Sequence, residues 1–261
     1  MVYIREYRTL LYQYPFSYGS ERKANGLLEV INEEKGSPLT CPIKVLELAR
    51  ENYRIDPIYK GLIDEMCTFI KEKLNVENIG LVSGGERRDW FFSLLVAEIM
   101  DKPHLTIYKD LKTVVSIGNR VEETDSKVQG KNLLHIADLI TKASSYERAW
   151  IPAVKKLGGQ IKWSVAVVDR DEGGKEILYD YGIELFSMVN ISKSLFDKAL
   201  SMEIINNEQH KMVTDYINNP FESMKNFLIS HPNFIEDSLE ADERTQKRVR
   251  LCLDSNIYGL K

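Results

Sequence analysis

The sequence predicts an α/β fold, a twisted parallel sheet with helices on both faces, flanked by an N-terminal hood and a C-terminal helical extension. Three observations carry this. Between residues 79 and 188, short apolar runs alternate with stretches of helical period, the pattern of βαβ units whose parallel strands need crossovers. The run at 161–168, IKWSVAVV, is the most β-rich in the chain. A hydrophobic content of 43% over 261 residues is enough to close a substantial core.

Taken in order, residues 1–42 contain aromatic residues, Gly19, Gly26, Gly36 and Pro38 without a sustained period, and read as a hood of short strands and loops. Apolar residues recur at helical spacing over 43–53 and 58–74, for example Ile58, Leu62, Met66, Phe69 and Ile70, which predicts two amphipathic helices. Pro57 suits the first turn of the second. Residues 79–82 then read as a buried strand, SGGERRD as a turn, and 90–100 as a helix capped by Asp89.

A second strand is expected at 104–108 and a third at 132–137, separated by a polar excursion over 109–130 that leaves the core. Residues 146–157 are helical and end at Gly158 and Gly159, followed by the strand at 161–168. A short helix over 175–181 leads to a last strand at 184–188, closing a core domain of 43–190. From 191 to 261 the period is helical, broken by Pro220 and Pro232, and the charged stretch 236–250 carries both signs, as a solvated helix does. In such sheets ligands sit beyond the carboxyl ends of the strands.

Composition narrows the function. With 35 Lys plus Arg against 39 Asp plus Glu, the net charge of −4 gives no global basic field for nucleic acid or an anionic membrane. Cys41, Cys67 and Cys252 form no CxxC pair, which argues against a disulfide framework or structural zinc and for a reducing, cytoplasmic setting. The first sixteen residues, charged at Arg5, Glu6 and Arg8, do not read as a signal peptide. No eighteen apolar residues run together, so no membrane span is expected.

The chemistry gathers in the segment NLLHIADLITKASSYERAW, a buried strand, an acidic residue at its end, a small-residue turn and a helix. It resembles the phosphoribosyl diphosphate (PRPP) motif of the type I phosphoribosyltransferases. In that family a strand is followed by two acidic residues and a Thr-Gly-Gly-Thr kind of turn. Carboxylates there accept hydrogen bonds from ribose hydroxyls, and the turn's amides with the helix N-terminus hold the 5′-phosphate.

By this resemblance Asp138 is the second acid and a magnesium ligand, Thr141, Lys142, Ala143 and Ser144 form the phosphate turn, and Ser145 closes it with a hydroxyl that also caps the helix. Ala137 stands where the family has its first acid. A non-glycine residue at a turn position needing positive φ costs about 1 to 2 kcal/mol. His135, inside an apolar strand, reads as a hydrogen-bonded core residue.

Three further segments are similar to orotate phosphoribosyltransferases. SVAVVDRDEGG looks like the strand and loop beside the base, with Arg170 as the guanidinium fork for a planar, carboxylated ring. YKDLKTVV falls where those enzymes have a mobile loop, and Lys109 and Lys112 keep its two lysines, whose charge would stabilise the departing diphosphate. Ser83, Gly84 and Gly85 stand at the pyrophosphate loop, with Arg87 and Arg88 adding charge.

The resemblance covers about residues 45–190. It implies transfer of a ribosyl 5-phosphate group from PRPP to an orotate-like base, with Mg²⁺, in a homodimer. Lys109, Lys112 and Asp138 would then be the catalytic residues. The alternative from another class is a degenerate PRPP-fold protein that binds a nucleotide or sugar phosphate as a sensor. A hydrolase is disfavoured by the lack of a Gly-x-Ser-x-Gly elbow.

Overall fold

The computed structural model describes residues 41–122 and 127–259. The expected hood therefore lies outside the described residues, except for Cys41 and Pro42, which open the first helix. The chain divides into two compact units, one ending at Ile191 and one beginning at Ser192.

In the first unit, α1 (Cys41–Ile55) buries Val45, Leu46 and Ala49 along one stripe. The next helix, α2 (Pro57–Lys73), begins where Asp56 accepts hydrogen bonds from the Ile58 and Tyr59 amides at 2.8 and 3.0 Å, which satisfies two of its orphan donors. Tyr59, Leu62, Ile63, Met66, Cys67 and Ile70 recur three or four apart and are buried. Each such side chain contributes roughly 1.5 to 3 kcal/mol when taken from water.

The sheet consists of β1 (Leu81–Gly85), β2 (His104–Ile107), β3 (Thr113–Ile117), β4 (Arg120–Glu122), β5 (Asn132–Ile140), β6 (Gln160–Asp169) and β7 (Glu184–Asn190). Its order is β4-β3-β2-β1-β5-β6-β7. The β2, β1, β5, β6 and β7 strands run parallel, whereas β3 and β4 add antiparallel to the β2 edge. The sheet is thus mixed, and the polar segment expected to leave the core does not. Val114 and Val115 pair with Thr106 and Leu105 and are buried. With only these two apolar residues buried, the short β3 strand is masked in the sequence by its polar flanks.

Alternating side chains feed two apolar layers. Val82, Leu134, Ile136, Val165 and Val167 meet α1, α2 and α3 (Trp90–Ile99), the last buried on nearly every side. Leu81, Leu105, Leu133, Ala137, Ile161 and Ala166 meet Tyr146, Trp150, Ile151, Val154 and Leu178 on the opposite face. That face is covered by α4 (Ile151–Lys156) and α5 (Gly174–Asp180).

The expected helix at 146–157 opens with a widened π turn over Tyr146–Trp150 before α4. Pro152 has no N–H to offer the carbonyl of Arg148, so a regular first turn is not available there. Gly158, at φ +73°, ends the helix by donating to the Lys155 carbonyl.

The second unit holds α6 (Lys193–Ser201), α7 (Asn207–Asn218), α8 (Pro220–Ser230), α9 (Asn233–Leu239) and α10 (Glu243–Asp254). Asn206 and Gln209 form a reciprocal capping box on α7, and Pro220 and Asn219 start α8. Pro220 thus begins a helix rather than simply breaking one. Among the described residues no helix is long and apolar enough to cross a membrane.

Candidate functional site

The β1 strand leads through α3 to β2 on one side, while β5, β6 and β7 build outward on the other. The crevice between the carboxyl ends of β1 and β5 is therefore the topological switch point of the sheet, where open α/β folds bind ligands. The turns after β1, β2, β5 and β6 all open at this edge. Three hydrogen bonds tie them together. The Lys109 amide donates to Glu86 Oε2 at 2.9 Å, the Asp138 amide to Asp89 Oδ1 at 2.9 Å, and the Arg170 amide to the Ile140 carbonyl at 3.0 Å.

Asp138 lies near the end of β5 with its side chain only 9% exposed, and its Oδ2 is 3.0 Å from Arg88 Nε. Burial pushes its carboxyl up to about 7, the nearby charge and hydrogen bond of Asp89 push the same way, and the Arg88 guanidinium opposes them. Strongly raised carboxyls in a crevice mark functional positions. Ala137 points the other way, into the apolar layer with Leu81 and Tyr146, so no first acid is available from β5.

Beyond β5 the chain turns over Thr141, Lys142, Ala143, Ser144 and Ser145. Thr141 is half-buried, while Lys142, Ser144 and Ser145 are exposed. Ala143 is buried with φ at +47°, a left-handed conformation that favours glycine. The turn thus takes a backbone conformation suited to glycine although no glycine is present. Tyr146 and Glu147 both donate backbone hydrogen bonds to the Ala143 carbonyl. Ser145 makes no side-chain cap, contrary to expectation, because its φ and ψ of −71° and −34° are already helical.

The glycine-rich segment does not form the loop expected from the sequence. Ser83, Gly84 and Gly85 are the buried end of β1 rather than a turn beyond it. A Cβ on Gly84 would fall 2.2 Å from Ser93 Oγ, and one on Gly85 would fall 2.2 Å from the Trp150 ring. These glycines make room for the protein's own side chains, and the Ser83 hydroxyl is sealed in the core against His135 Nδ1 at 3.0 Å. The turn is Glu86 to Asp89, with a cis Glu86–Arg87 peptide; Arg87 Nε lies 3.5 Å from Glu86 Oε1, Asp89 is buried, and Arg88 is the exposed residue, its side chain 57% exposed.

Lys109 and Lys112 sit in a tight connection between β2 and β3, closed by hydrogen bonds from Tyr108 N to Lys112 O and from Leu111 N to Tyr108 O. The expected long loop at this point is a five-residue hairpin turn, since β3 starts already at Thr113. Lys112 Nζ pairs with Asp110 Oδ2 at 3.1 Å on the surface. Arg170 follows β6, 40% exposed, with its Nη2 2.8 Å from Glu172 Oε1. Just before it, Asp169 is raised by burial, an effect opposed by the Asp171 amide that donates to it.

Sequence reasoning misses Asp89 as a site residue. The expected cap on α3 is not made; at φ −59° and ψ −33° Asp89 is already helical and its carboxylate turns into the crevice. Oδ2 accepts from the Gly85 amide at 3.0 Å. Beneath it His135 is fully buried, edge-on to Tyr146 and stacked on Trp150. A polar His in an apolar strand is the one signal in the sequence.

A separate open cavity of about 550 Å³ between α1 and α3 is lined by Glu47, Arg50, Leu95 and Glu98. It lies at the far end of α3 from Asp89, and Arg50 is already bonded to Glu98 and Asn119. The buried carboxyl raised to about 7, that of Asp138, lies at the switch point and not in this cavity.

No family model matches the chain. It is 30% identical over 140 residues to orotate phosphoribosyltransferase of Sulfolobus acidocaldarius, covering 53% of this chain and 66% of that protein. It is 30% identical to orotate phosphoribosyltransferase of Pyrococcus furiosus, over 51% of this chain and 72% of that protein. An adenine phosphoribosyltransferase of Mannheimia succiniciproducens is 32% identical over 44% of this chain and 72% of its own length. The solved orotate phosphoribosyltransferase of Francisella tularensis is similar at 17% identity and a TM-score of 0.47, over 63% of this chain and 80% of that one. Sequence similarity at this level, spanning 72% of the length of relatives with two different bases, means that the chain belongs to the type I phosphoribosyltransferase family.

Proposed function

We propose that this protein transfers a ribosyl 5-phosphate group from PRPP to a planar, orotate-like base and releases pyrophosphate. The observation that carries the reading is Asp138 standing directly before a left-handed small-residue turn at the switch point. In this reading Asp138 accepts the ribose hydroxyls, and the amides of residues 141–145 take the 5′-phosphate. Arg88, Lys109 and Lys112 face the developing negative charge of the diphosphate, which is where fixed cations lower a barrier most.

Arg170 is the donor assigned to the base. Its guanidinium exchanges Glu172 for a carboxylated ring, a planar partner of the same charge. Orotate phosphoribosyltransferases are prominent among the similar proteins, which supports this choice over a purine.

The residues fit a magnesium ion that arrives with substrate. Asp138 is the carboxylate within reach, and among the described residues no three His, Cys, Asp or Glu side chains gather to hold a cation unaided. Such an ion, when bound, would neutralise the diphosphate, the usual arrangement for Mg²⁺ on one or two carboxylates plus phosphates. A cytoplasmic homodimer belongs to the same proposal.

A second reading, a nucleotide or sugar-phosphate sensor without turnover, is favoured by one specific observation: Arg88 occupies Asp138 while Ala137 supplies no second acid. Purified protein mixed with PRPP, Mg²⁺ and a panel of bases including orotate separates the two. Pyrophosphate release with orotate supports transfer; nucleotide binding with no release from any base leaves the sensor.

A further inference from the structure

The parallel ladder between β1 and β5 ends at Ser83 and His135. Past that point the two strands are joined by a side chain. The Gly85 amide donates to Asp89 Oδ2 and the Asp138 amide to Asp89 Oδ1, at 3.0 and 2.9 Å. One carboxylate therefore bridges the strand ends at the switch point, close enough to the carboxyl of Asp138 for its charge to act on it.

We infer that Asp89 is the second carboxylate of the ribose site, forming with Asp138 a pair that reads a vicinal diol. This rests on the phosphoribosyl-transfer reading and assigns a residue to it.

Four observations support the assignment. Each carboxylate oxygen has two lone pairs, and each Asp89 oxygen has one backbone amide bonded to it, so acceptor capacity remains for hydroxyl donors. The side chains of Asp89 and Asp138 keep 11% and 9% of their surface exposed, which marks a narrow but open approach. Residue 137, the alternative place for an acid, is an alanine turned into the opposite apolar layer.

The fourth observation is independent of the acidic pair. His135 is completely buried, its Nδ1 is engaged by Ser83, and its Nε2 has no hydrogen-bond partner among the described residues. That nitrogen faces Asp89 Oδ2 at 3.7 Å. A buried polar atom left unbonded is costly, and the ring is held in this direction by Tyr146 and Trp150. The arrangement is complete when Asp89 is drawn slightly inward as its other lone pairs take sugar hydroxyls, so His135 acts as a positioning residue for Asp89.

The test is calorimetric titration of the full chain with ribose 5-phosphate and with 2-deoxyribose 5-phosphate, which differ by one hydroxyl of the diol. Wild type is expected to prefer the ribose by about tenfold, the scale of one hydrogen bond to a charged acceptor. Asp89→Asn keeps the shape but presents a donor where two amides need acceptors. It is expected to lose the preference while holding 2-deoxyribose 5-phosphate within about twofold of wild type.

Retention of the preference in Asp89→Asn overturns the inference. A wild type that binds both sugars equally overturns it while leaving the transfer reading standing; a wild type that binds neither overturns both. Should the variant not fold, the wild-type amide resonances of Gly85 and Asp138 decide the matter. Both are expected to move with ribose 5-phosphate more than with the deoxy sugar, and an unmoved Gly85 amide counts against Asp89.

Discussion

Arg88 Nε lies 3.0 Å from Asp138 Oδ2, so the acid assigned to the ribose is held by a cation from the neighbouring turn. The Arg88 side chain is 57% exposed and Asp138 only 9%, which makes the arginine the partner that yields. An exposed partner limits the pair to about 0–1 kcal/mol. In the proposed transfer, substrate hydroxyls would compete with Arg88 for the same oxygen and, on binding, release it toward the diphosphate.

From this competition, Arg88→Ala is expected to raise affinity for ribose 5-phosphate, which has no diphosphate, by up to about fivefold, and to lower affinity for PRPP. Titration with the two ligands side by side checks it. A parallel fall in both would show that Arg88 does not block the sugar.

Asp138 links the site to stability. Its folded-state carboxyl is raised to about 7 from an ordinary value of 3.8. The folded protein therefore binds the proton more tightly, and stability is lost as pH climbs through the window from about 4 to 7, remaining lost above it. Asp138→Asn removes that loss. It is expected to stabilise the protein by at least about 1 to 2 kcal/mol at pH 8 and by nearly nothing at pH 4, because each factor of ten in proton affinity corresponds to about 1.4 kcal/mol. Thermal melts at the two pH values check the sign, while PRPP binding by the same variant should fall at least about tenfold, the loss of one charged acceptor.

Two glycines set opposite expectations. A Cβ at Gly85 meets the Trp150 ring at 2.2 Å, and a rigid indole packed in the core cannot give way, so Gly85→Ala should cost about 3 kcal/mol or more. Gly61, inside α2, has nothing within 4 Å, and Gly61→Ala should gain about 0.5 to 1 kcal/mol from helix propensity alone. Denaturant unfolding of the pair, with equal m values, distinguishes packing from altered cooperativity.

Ala143 is subject to two opposing effects. Its φ of +47° costs about 1 to 2 kcal/mol relative to glycine, while its buried methyl returns about 0.8 kcal/mol. Ala143→Gly is therefore expected to shift stability by less than about 1 kcal/mol. Ala143→Val, branched at Cβ in the same conformation, should cost more than about 2 kcal/mol. Equal unfolding midpoints for the two variants would mean that the turn relaxes out of the left-handed region.

The fold class, the parallel centre of the sheet and the place of the site are legible from the chain's own pattern. Period and β-branching at 79–82, 132–137 and 161–168 are local properties that survive without tertiary information, and Asp138 with its turn follows directly on one such segment. Long-range packing settled the rest. The antiparallel β3 edge is specified by pairing with β2, not by its short polar-flanked run. Ser83, Gly84 and Gly85 became core when Ser93 and Trp150, distant in sequence, closed on them. Asp89 gives up its cap for the crevice because two backbone amides beyond the β1–β5 ladder need an acceptor. Each of these depends on a buried polar or steric requirement that exists only once separate strands are brought side by side.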